Sequence, residues 1–390
     1  MRLCAVKDIE EGMILGKSIY EINGKLLLGA GYRITQEIKK RLLSKNYSLV
    51  YIMEEGAEDV VPEDIISDEI ALQAKEKLAD KVNELEKQTK FKNIGMSKAK
   101  DLIKKGYLKD VDITYDMHSV IDEILKDISA TGATFMNMVM IKSEDTYFLD
   151  HALNTTVLSI LIGKKYRYTN EELRNLALGT FLHDIGKVIL DQTKGKKTDR
   201  ISELYQEHPT FGYLILSNSA SSVSAIEKQI VNQHHEYQDG SGFPIGLTGL
   251  NKQPIKLNAH DGEKHIYRMA EICCVANALD NRVFNPLKKI QLSQADALKQ
   301  IINNSGKIYN KNIVQTLLKV VPYYPIGTYV RVVNIVDPHL IGYMGVVAKV
   351  NEKNLNKPVI ILTKDKFLKK IKPIIIETSK LNIVELEVII

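Results

Sequence analysis

The chain has 390 residues, 44% of them hydrophobic and 26% charged, a composition that excludes global disorder, a collagen-like repeat and a bilayer-embedded body. Its length exceeds the roughly 250–300 residues at which one hydrophobic core stops growing, so two or three domains are expected. Fifty-three basic against 48 acidic residues leave a net +5, too mild to argue for a nucleic-acid polymer or an anionic membrane unless a basic patch is local. Apolar stretches such as Val157–Gly163 and Pro373–Ile376 fall far short of the roughly 18 residues that span a bilayer, and MRLCAVKDIEEGM lacks the apolar run of a secretory signal. A cytoplasmic protein without a membrane span is expected. Cys4, Cys273 and Cys274 form no CxxC pair and read as reduced thiols in a core.

Residues 1–55 carry short apolar segments punctuated by glycine, with Asn23-Gly24 as a type I′ hairpin signal and a helical stretch from Gln36 to Leu43. They read as a small α+β module. Residues 56–112 hold an acidic linker and then an Ala, Glu, Lys and Leu-rich helix from Glu69 to about Lys90. In that helix Ala71, Ala74, Leu78, Val82 and Leu85 form a stripe, which predicts packing on the chain's own domain or, alternatively, a homodimer seam. From 113 to 321 the helical period dominates, as in Val120, Ile121, Ile124, Leu125 and Ile128. From 322 to 390, segments rich in β-branched residues, among them GYMGVVAKV and PVIILT, read as a small β-barrel or sheet. The fold class expected is therefore mainly α, a helical bundle with a small α+β module before it and a small β-rich extension after it.

Nine histidines occur, most of them in the helical region. His183 and Asp184 follow the apolar run Leu176–Leu182, and a buried carboxylate beside an imidazole is costly unless paired or metal-bound. His234 and His235 stand where a helix runs into the Gly-rich turn of VNQHHEYQDGSGFP. Imidazole with carboxylate suits divalent iron, manganese or zinc, and the absence of thiolates disfavours a structural zinc. Such ligands can converge from several helices of a bundle. One aspartate can bridge two ions about 3.5–4 Å apart, which generate hydroxide and clamp an in-line phosphoryl displacement, so phosphoester hydrolysis is predicted.

HDIGK at 183–187, HPTFG at 208–212 and HHEYQDGSGFP at 234–244 resemble, in order and spacing, the HD-GYP family of HD-superfamily metal phosphodiesterases. The third motif matches the family's HHExxDGxGYP at every fixed position except Phe243, where the family has Tyr. The resemblance covers about Tyr147 to Val321. It implies a helical domain holding two divalent metals, commonly iron or manganese, that hydrolyses cyclic di-GMP to pGpG or GMP. Carried over by position, it implies His151, His183 and Asp184 as ligands of a first metal. Asp184 then bridges to a second, held with His208, His234 and His235. Lys187 matches the lysine that meets substrate phosphate, and with Asp184 forms the implied catalytic pair. The family also docks GGDEF-type diguanylate cyclases through the signature turn, which makes such a partner an expectation here.

Several positions depart from the pattern. The family's last metal ligand is an aspartate, and Asn277 stands there; an amide oxygen can coordinate but brings no charge. Two readings follow, an active phosphodiesterase and a degenerate module that binds metal or cyclic dinucleotide and signals through partners. A hydrolase of another cyclic dinucleotide is a third. Asp280 is expected to orient a ligand or meet the substrate, and either Arg282, Lys288 or Lys289 supplies a phosphate contact displaced in register or that contact is missing. Tyr147 replaces a glutamate that recruits a third metal in some members, so two metals at most are expected. Residues 258–264, with His260 and Asp261, read as an inserted solvated turn.

Overall fold

The structure, a computed structural model, describes residues 1–21, 25–62, 64–89, 91, 94–132, 134–136, 146–193, 205–253, 265–285 and 290–389, with the backbone alone at 191–193. The expected turn at Asn23-Gly24, the inserted 258–264 segment, Lys288 and Lys289 lie outside them.

In the first module, β1 (Arg2–Ala5), β2 (Ile19–Tyr20), β3 (Leu26–Leu28), α1 (Gln36–Ser44) and β4 (Leu49–Ile52) enclose a core of Cys4, Val6, Leu15, Ile34, Leu42 and Val50. β1 pairs antiparallel with β4, and β2 with β3. α1 starts where Thr35 accepts the Ile38 N–H, an N-cap that satisfies one orphan donor of the first turn.

The helical body comprises α2 (Asp68–Thr89), α3 (Met96–Lys104), α4 (Met117–Ala130), α5 (Tyr147–Lys165), α6 (Asn170–Phe181), α7 (Lys187–Thr193), α8 (His208–Ser217), α9 (Ala225–Gln233) and α10 (Arg268–Val283). A short hairpin, β5 (Phe284–Asn285) with β6 (Ile290–Gln291), then leads to α11 (Gln294–Asn303) and α12 (Lys311–Leu317). One contiguous apolar core runs through it from Ile65 to Val321. The stripe of α2 faces that core: Ala74, Leu78 and Leu85 are buried and the helix packs on α4, α5 and α7. The homodimer seam is thereby corrected, because those side chains are already covered within the chain.

α5 is the central element. Every residue from Leu149 to Gly163 is buried, polar ones such as His151 and Asn154 included, so the helix is enclosed on all sides. α6 and α9 both begin with capping boxes, Thr169 with Glu172 and Ser224 with Glu227, which fix their starts and so the positions of their far ends. Cys4, Cys273 and Cys274 are buried free thiols, as expected.

The last region is a five-stranded antiparallel sheet of β7 (Tyr329–Ile335), β8 (Met344–Lys349), β9 (Val359–Lys364), β10 (Lys370–Glu377) and β11 (Val384–Val388), ordered β10-β9-β8-β7-β11 around Val330, Val332, Val347, Ile360 and Leu362. It meets the first module directly. The Leu3 N–H donates to the Gly327 carbonyl at 2.8 Å, and buried Glu54 accepts from Arg2 at 2.6 Å and from Thr363 at 3.1 Å. The architecture is mainly α with a small α+β module and a small β extension, as the periodicities predict.

Candidate metal centre

Six of the sequence-selected side chains converge. His151 comes from the first turn of α5, His183 and Asp184 follow α6, His208 opens α8, and His234 and His235 follow α9. The ligand-type atoms of His151, His183 and Asp184 lie within 4.8 Å of one another, as do those of Asp184, His208, His234 and His235. Asp184 joins the two groups: its Oδ2 lies 3.4 Å from His183 Nε2 and 3.6 Å from His151 Nε2, and its Oδ1 lies 3.1 Å from His208 Nε2 and 3.7 Å from His234 Nε2. Each carboxylate oxygen thus serves one pair of imidazoles.

The hydrogen bonds of the other ring nitrogens assign the tautomers. His183 Nδ1 donates to the Thr180 carbonyl at 2.6 Å, His208 Nδ1 to Tyr205 at 2.6 Å and His234 Nδ1 to Val231 at 2.8 Å, in each case the carbonyl three residues earlier. Thr180 and Val231 lie in the last turns of their helices, where carbonyls lack partners one turn on. His151 Nδ1 donates to Asp280 Oδ2 at 2.7 Å. All four Nε2 atoms are therefore bare lone pairs. They face one another, His151 to His183 at 3.2 Å and His208 to His234 at 3.1 Å, and His235 Nε2 is buried with no hydrogen-bond partner. Lone pairs so placed beside a carboxylate repel one another and attract cations, and the second-ring hydrogen bonds are those that orient metal-bound histidines. The donor set fits two divalent ions.

Burial holds His183 and His235 well below the ordinary imidazole range and brings His208 down to about 4, so these rings are neutral near pH 7. Burial acts to raise Asp184, but His183 and Lys187 outweigh it and the carboxyl stays well below the usual range. Lys187 pairs directly with Asp184 Oδ2, and its pKa is raised despite burial because Asp184 and Tyr205 adjoin it.

Glycines let the motif segments touch. A Cβ at Gly186 would overlap the His208 carbonyl and stand 2.5 Å from Gly212 N, so only glycine allows HDIGK to lie backbone to backbone on α8. Glu236, the third residue of the HHE motif, holds the signature turn, accepting N–H groups from Ile245 at 2.7 Å, Gly246 at 3.0 Å and Leu247 at 2.8 Å. Phe243 stacks on His235 with centroids 4.5 Å apart.

Of its two expected roles Asp280 takes the first: it is fully buried and both its oxygens are taken, by His151 and by Asn154 Nδ2 at 2.9 Å, so it orients His151 and the substrate contact is corrected. Arg282 is not brought to the cluster: it donates to the Ala278 carbonyl at 2.9 Å and lies over the Tyr309 ring at 5.6 Å. Asn277 is buried, and its Oδ1 accepts from Asn281 Nδ2. Asn281 Oδ1 in turn accepts from Tyr147 Oη at 2.5 Å and Asn285 Nδ2 at 2.6 Å, while the Tyr147 ring stacks on His151. Sequence reading missed Asn154, Asn281 and Tyr205. The last closes one side of the site, its ring 4.8 Å from His208 and 5.2 Å from Lys187 Nζ.

Residues 135–255 match the family model described as HD domain. A cyclic di-GMP phosphodiesterase of Pseudomonas aeruginosa is 27% identical over 243 residues, 61% of this chain and 53% of that protein. A cyclic di-GMP phosphodiesterase response regulator of Xanthomonas campestris is 29% identical over 163 residues, 41% of this chain and 39% of that protein. Residues 135–255 are thus an HD domain, and the HDIGK and HHEYQDGSGFP motifs that line the cluster are of the HD-GYP kind. A 3'3'-cGAMP-specific phosphodiesterase of Vibrio cholerae is also similar, 24% identical over 147 residues, 37% of this chain and 28% of that protein. The chain spans about half or less of the length of these relatives. A solved HD-GYP-type protein from Bdellovibrio bacteriovorus matches at 19% identity and a TM-score of 0.39, covering 81% of this chain and 97% of its own. No helix among the described residues is long and apolar enough to cross a membrane.

Proposed function

We propose that this chain is a metal-dependent phosphodiesterase of the HD-GYP kind that hydrolyses cyclic di-GMP to pGpG or GMP. The observation that carries the reading is Asp184, whose two oxygens each face a pair of imidazoles with bare Nε2 atoms. His151, His183 and Asp184 would hold one divalent ion, with Asn277 as its neutral neighbour; Asp184, His208, His234 and His235 would hold the other. Imidazole and carboxylate donors without thiolate suit iron or manganese. Bound there, such ions supply Lewis acidity toward phosphoryl oxygens and acidify a water.

The chain's own residues do the rest. Asp280 keeps His151 in the tautomer that presents Nε2, and burial keeps His183, His208 and His235 unprotonated at neutral pH. Lys187, charged and held beside Asp184, offers an ammonium to a phosphate entering the site. The names of the similar phosphodiesterases support a cyclic dinucleotide as substrate.

The test is metal analysis of anaerobically purified protein with a cyclic di-GMP hydrolysis assay, run beside His183→Ala with Asp184→Ala. Two divalent ions and turnover, both lost in the double variant, are expected. Turnover that survives in the double variant would overturn the assignment. A second reading rests on Asn277, whose oxygen is already engaged by Asn281: a site that binds metal or dinucleotide without turnover.

A further inference from the structure

The turn joining β9 to β10 is built to hold two apolar side chains in water. Asp365 organises it: its carbonyl accepts the Leu368 N–H at 3.0 Å, its N–H donates to Lys369 O at 2.9 Å, and its Oδ1 accepts the N–H groups of Phe367 and Lys369, both at 2.9 Å. At the tip Phe367 is 69% exposed and Leu368 61% exposed. Leu368 adopts φ 66°, a left-handed conformation that this kind of turn ordinarily gives to glycine or asparagine. A leucine there costs backbone strain and leaves most of its side chain in water, and such an outlier points to a role outside the fold. The neighbouring turn, between β7 and β8, adds a third apolar group. Gly342 abuts Lys366, a Cβ built on it falling 2.9 Å from Lys366 Cβ, and the adjacent Ile341 is 41% exposed.

The surrounding charge is mostly positive. Residues 364–372 hold five lysines, at 364, 366, 369, 370 and 372, against the single acid Asp365. Lys370 is paired with Glu55, whereas among the described residues Lys366, Lys369 and Lys372 have no carboxylate partner. This is the local basic patch that the mild overall charge of the chain conceals. Apolar side chains on a convex tip, ringed by lysines, do not form the concave surface that a globular partner fills. They match a bilayer interface, where the apolar groups enter the headgroup region and the lysines meet anionic lipid.

We propose that the β9–β10 turn, with Ile341 beside it, docks this protein on an anionic lipid surface. The chain contains no tryptophan, so Phe367→Trp makes the tip the only indole in the molecule. With the 390-residue chain carrying Phe367→Trp, vesicles of phosphatidylcholine and about 30% phosphatidylglycerol should blue-shift the emission, and brominated acyl chains should quench it; phosphatidylcholine alone should do neither. In co-sedimentation, Phe367→Ser with Leu368→Asn should lower partitioning by more than about tenfold, from the apolar area withdrawn. Its melting temperature should hold or rise, since asparagine accepts the positive φ. Lys366→Glu with Lys369→Glu and Lys372→Glu should abolish binding, while the same charge change at exposed Lys104, Lys105 and Lys109 should leave it nearly intact. An unshifted indole, vesicle binding indifferent to the Phe367 and Leu368 changes, or equal loss in the distant triple variant would each overturn the proposal. Tight binding to heparin with an unshifted indole would assign the patch to a soluble polyanion instead.

Discussion

Restoring an aspartate at Asn277 separates the role of that position from its packing. Asn277 is 4% exposed, and its oxygen accepts from one neutral donor, Asn281 Nδ2. Asp280 lies three residues on along α10, and Asp184 is joined to it through His151. Without metal, Asn277→Asp therefore adds a buried carboxylate with one amide donor to a region that already holds two acids. An uncompensated buried charge costs about 3 kcal/mol, which for a helical unit of roughly 200 residues lowers the melting temperature by about 6–12 °C. With divalent cation present the same carboxylate becomes a charged ligand, so the sign reverses. Paired thermal scans in chelator and in manganese should show the variant less stable than wild type in the first and equal or more stable in the second. Metal content and turnover should rise with it. A variant that follows wild type in both scans would refute the placement of Asn277 at the first ion.

Other substitutions test the supporting structure. Gly186→Ala drives a Cβ into the His208 carbonyl and should cost about 3 kcal/mol in urea unfolding and strip bound metal; wild-type stability with full metal content would contradict the close approach. Glu236→Ala leaves the N–H groups of Ile245, Gly246 and Leu247 without their acceptor and should cost about 2–3 kcal/mol, with limited proteolysis opening the turn near Ile245. Burial raises Glu271 to about 7, against the opposing bonds from Gln238 and Asn310. Its folded pKa lies above the unfolded value, so it contributes stability in full below about pH 4.5 that is lost as pH rises through about 7, roughly 3 kcal/mol in total. Unfolding free energies from pH 5 to 8 should fall with a slope that Glu271→Gln flattens; an unchanged slope would show that another group sets it.

How far the sequence foretold the molecule depends on whether each signal was local. α1 and the strands at 329–335, 344–349 and 359–364 follow from their own periodicity and turn residues. The stripe on α2 was equally visible, yet periodicity marks an apolar face without naming what covers it; here α4, α5 and α7 do. The ligands stood out because they lie in motifs whose glycines and histidines are inseparable from the chemistry. Asn154, Asn281 and Tyr205 carry no such mark, since each acts through a neighbour that only the folded bundle supplies. Arg282 was open to correction from helix geometry alone. Residues 277 and 281 share a face at one-turn spacing, and 280 flanks it, whereas 282 is turned roughly 200° from 280 and faces Tyr309.

The two halves of the centre are unequal, and the inequality has one source. Three imidazoles with Asp184 Oδ1 surround one half, and each donor comes from a segment pinned by a capping box, a glycine contact or the Glu236 turn. The other half has two imidazoles and Asp184 Oδ2, the same oxygen that Lys187 already engages. Where a second carboxylate would offset that lysine, the chain places an amide tied to Asn281 and, through it, to Tyr147. Asp280 is engaged by His151 and Asn154, so among the described residues Asp184 is the one carboxylate this half offers an ion, and an incoming phosphodiester would bring what the protein withholds. That is why adding charge at 277 is more informative than deleting a ligand. Deletion of Asp184 strips both halves together and deletion of a histidine leaves a half without an imidazole, whereas Asn277→Asp adds charge beside one half with every imidazole in place.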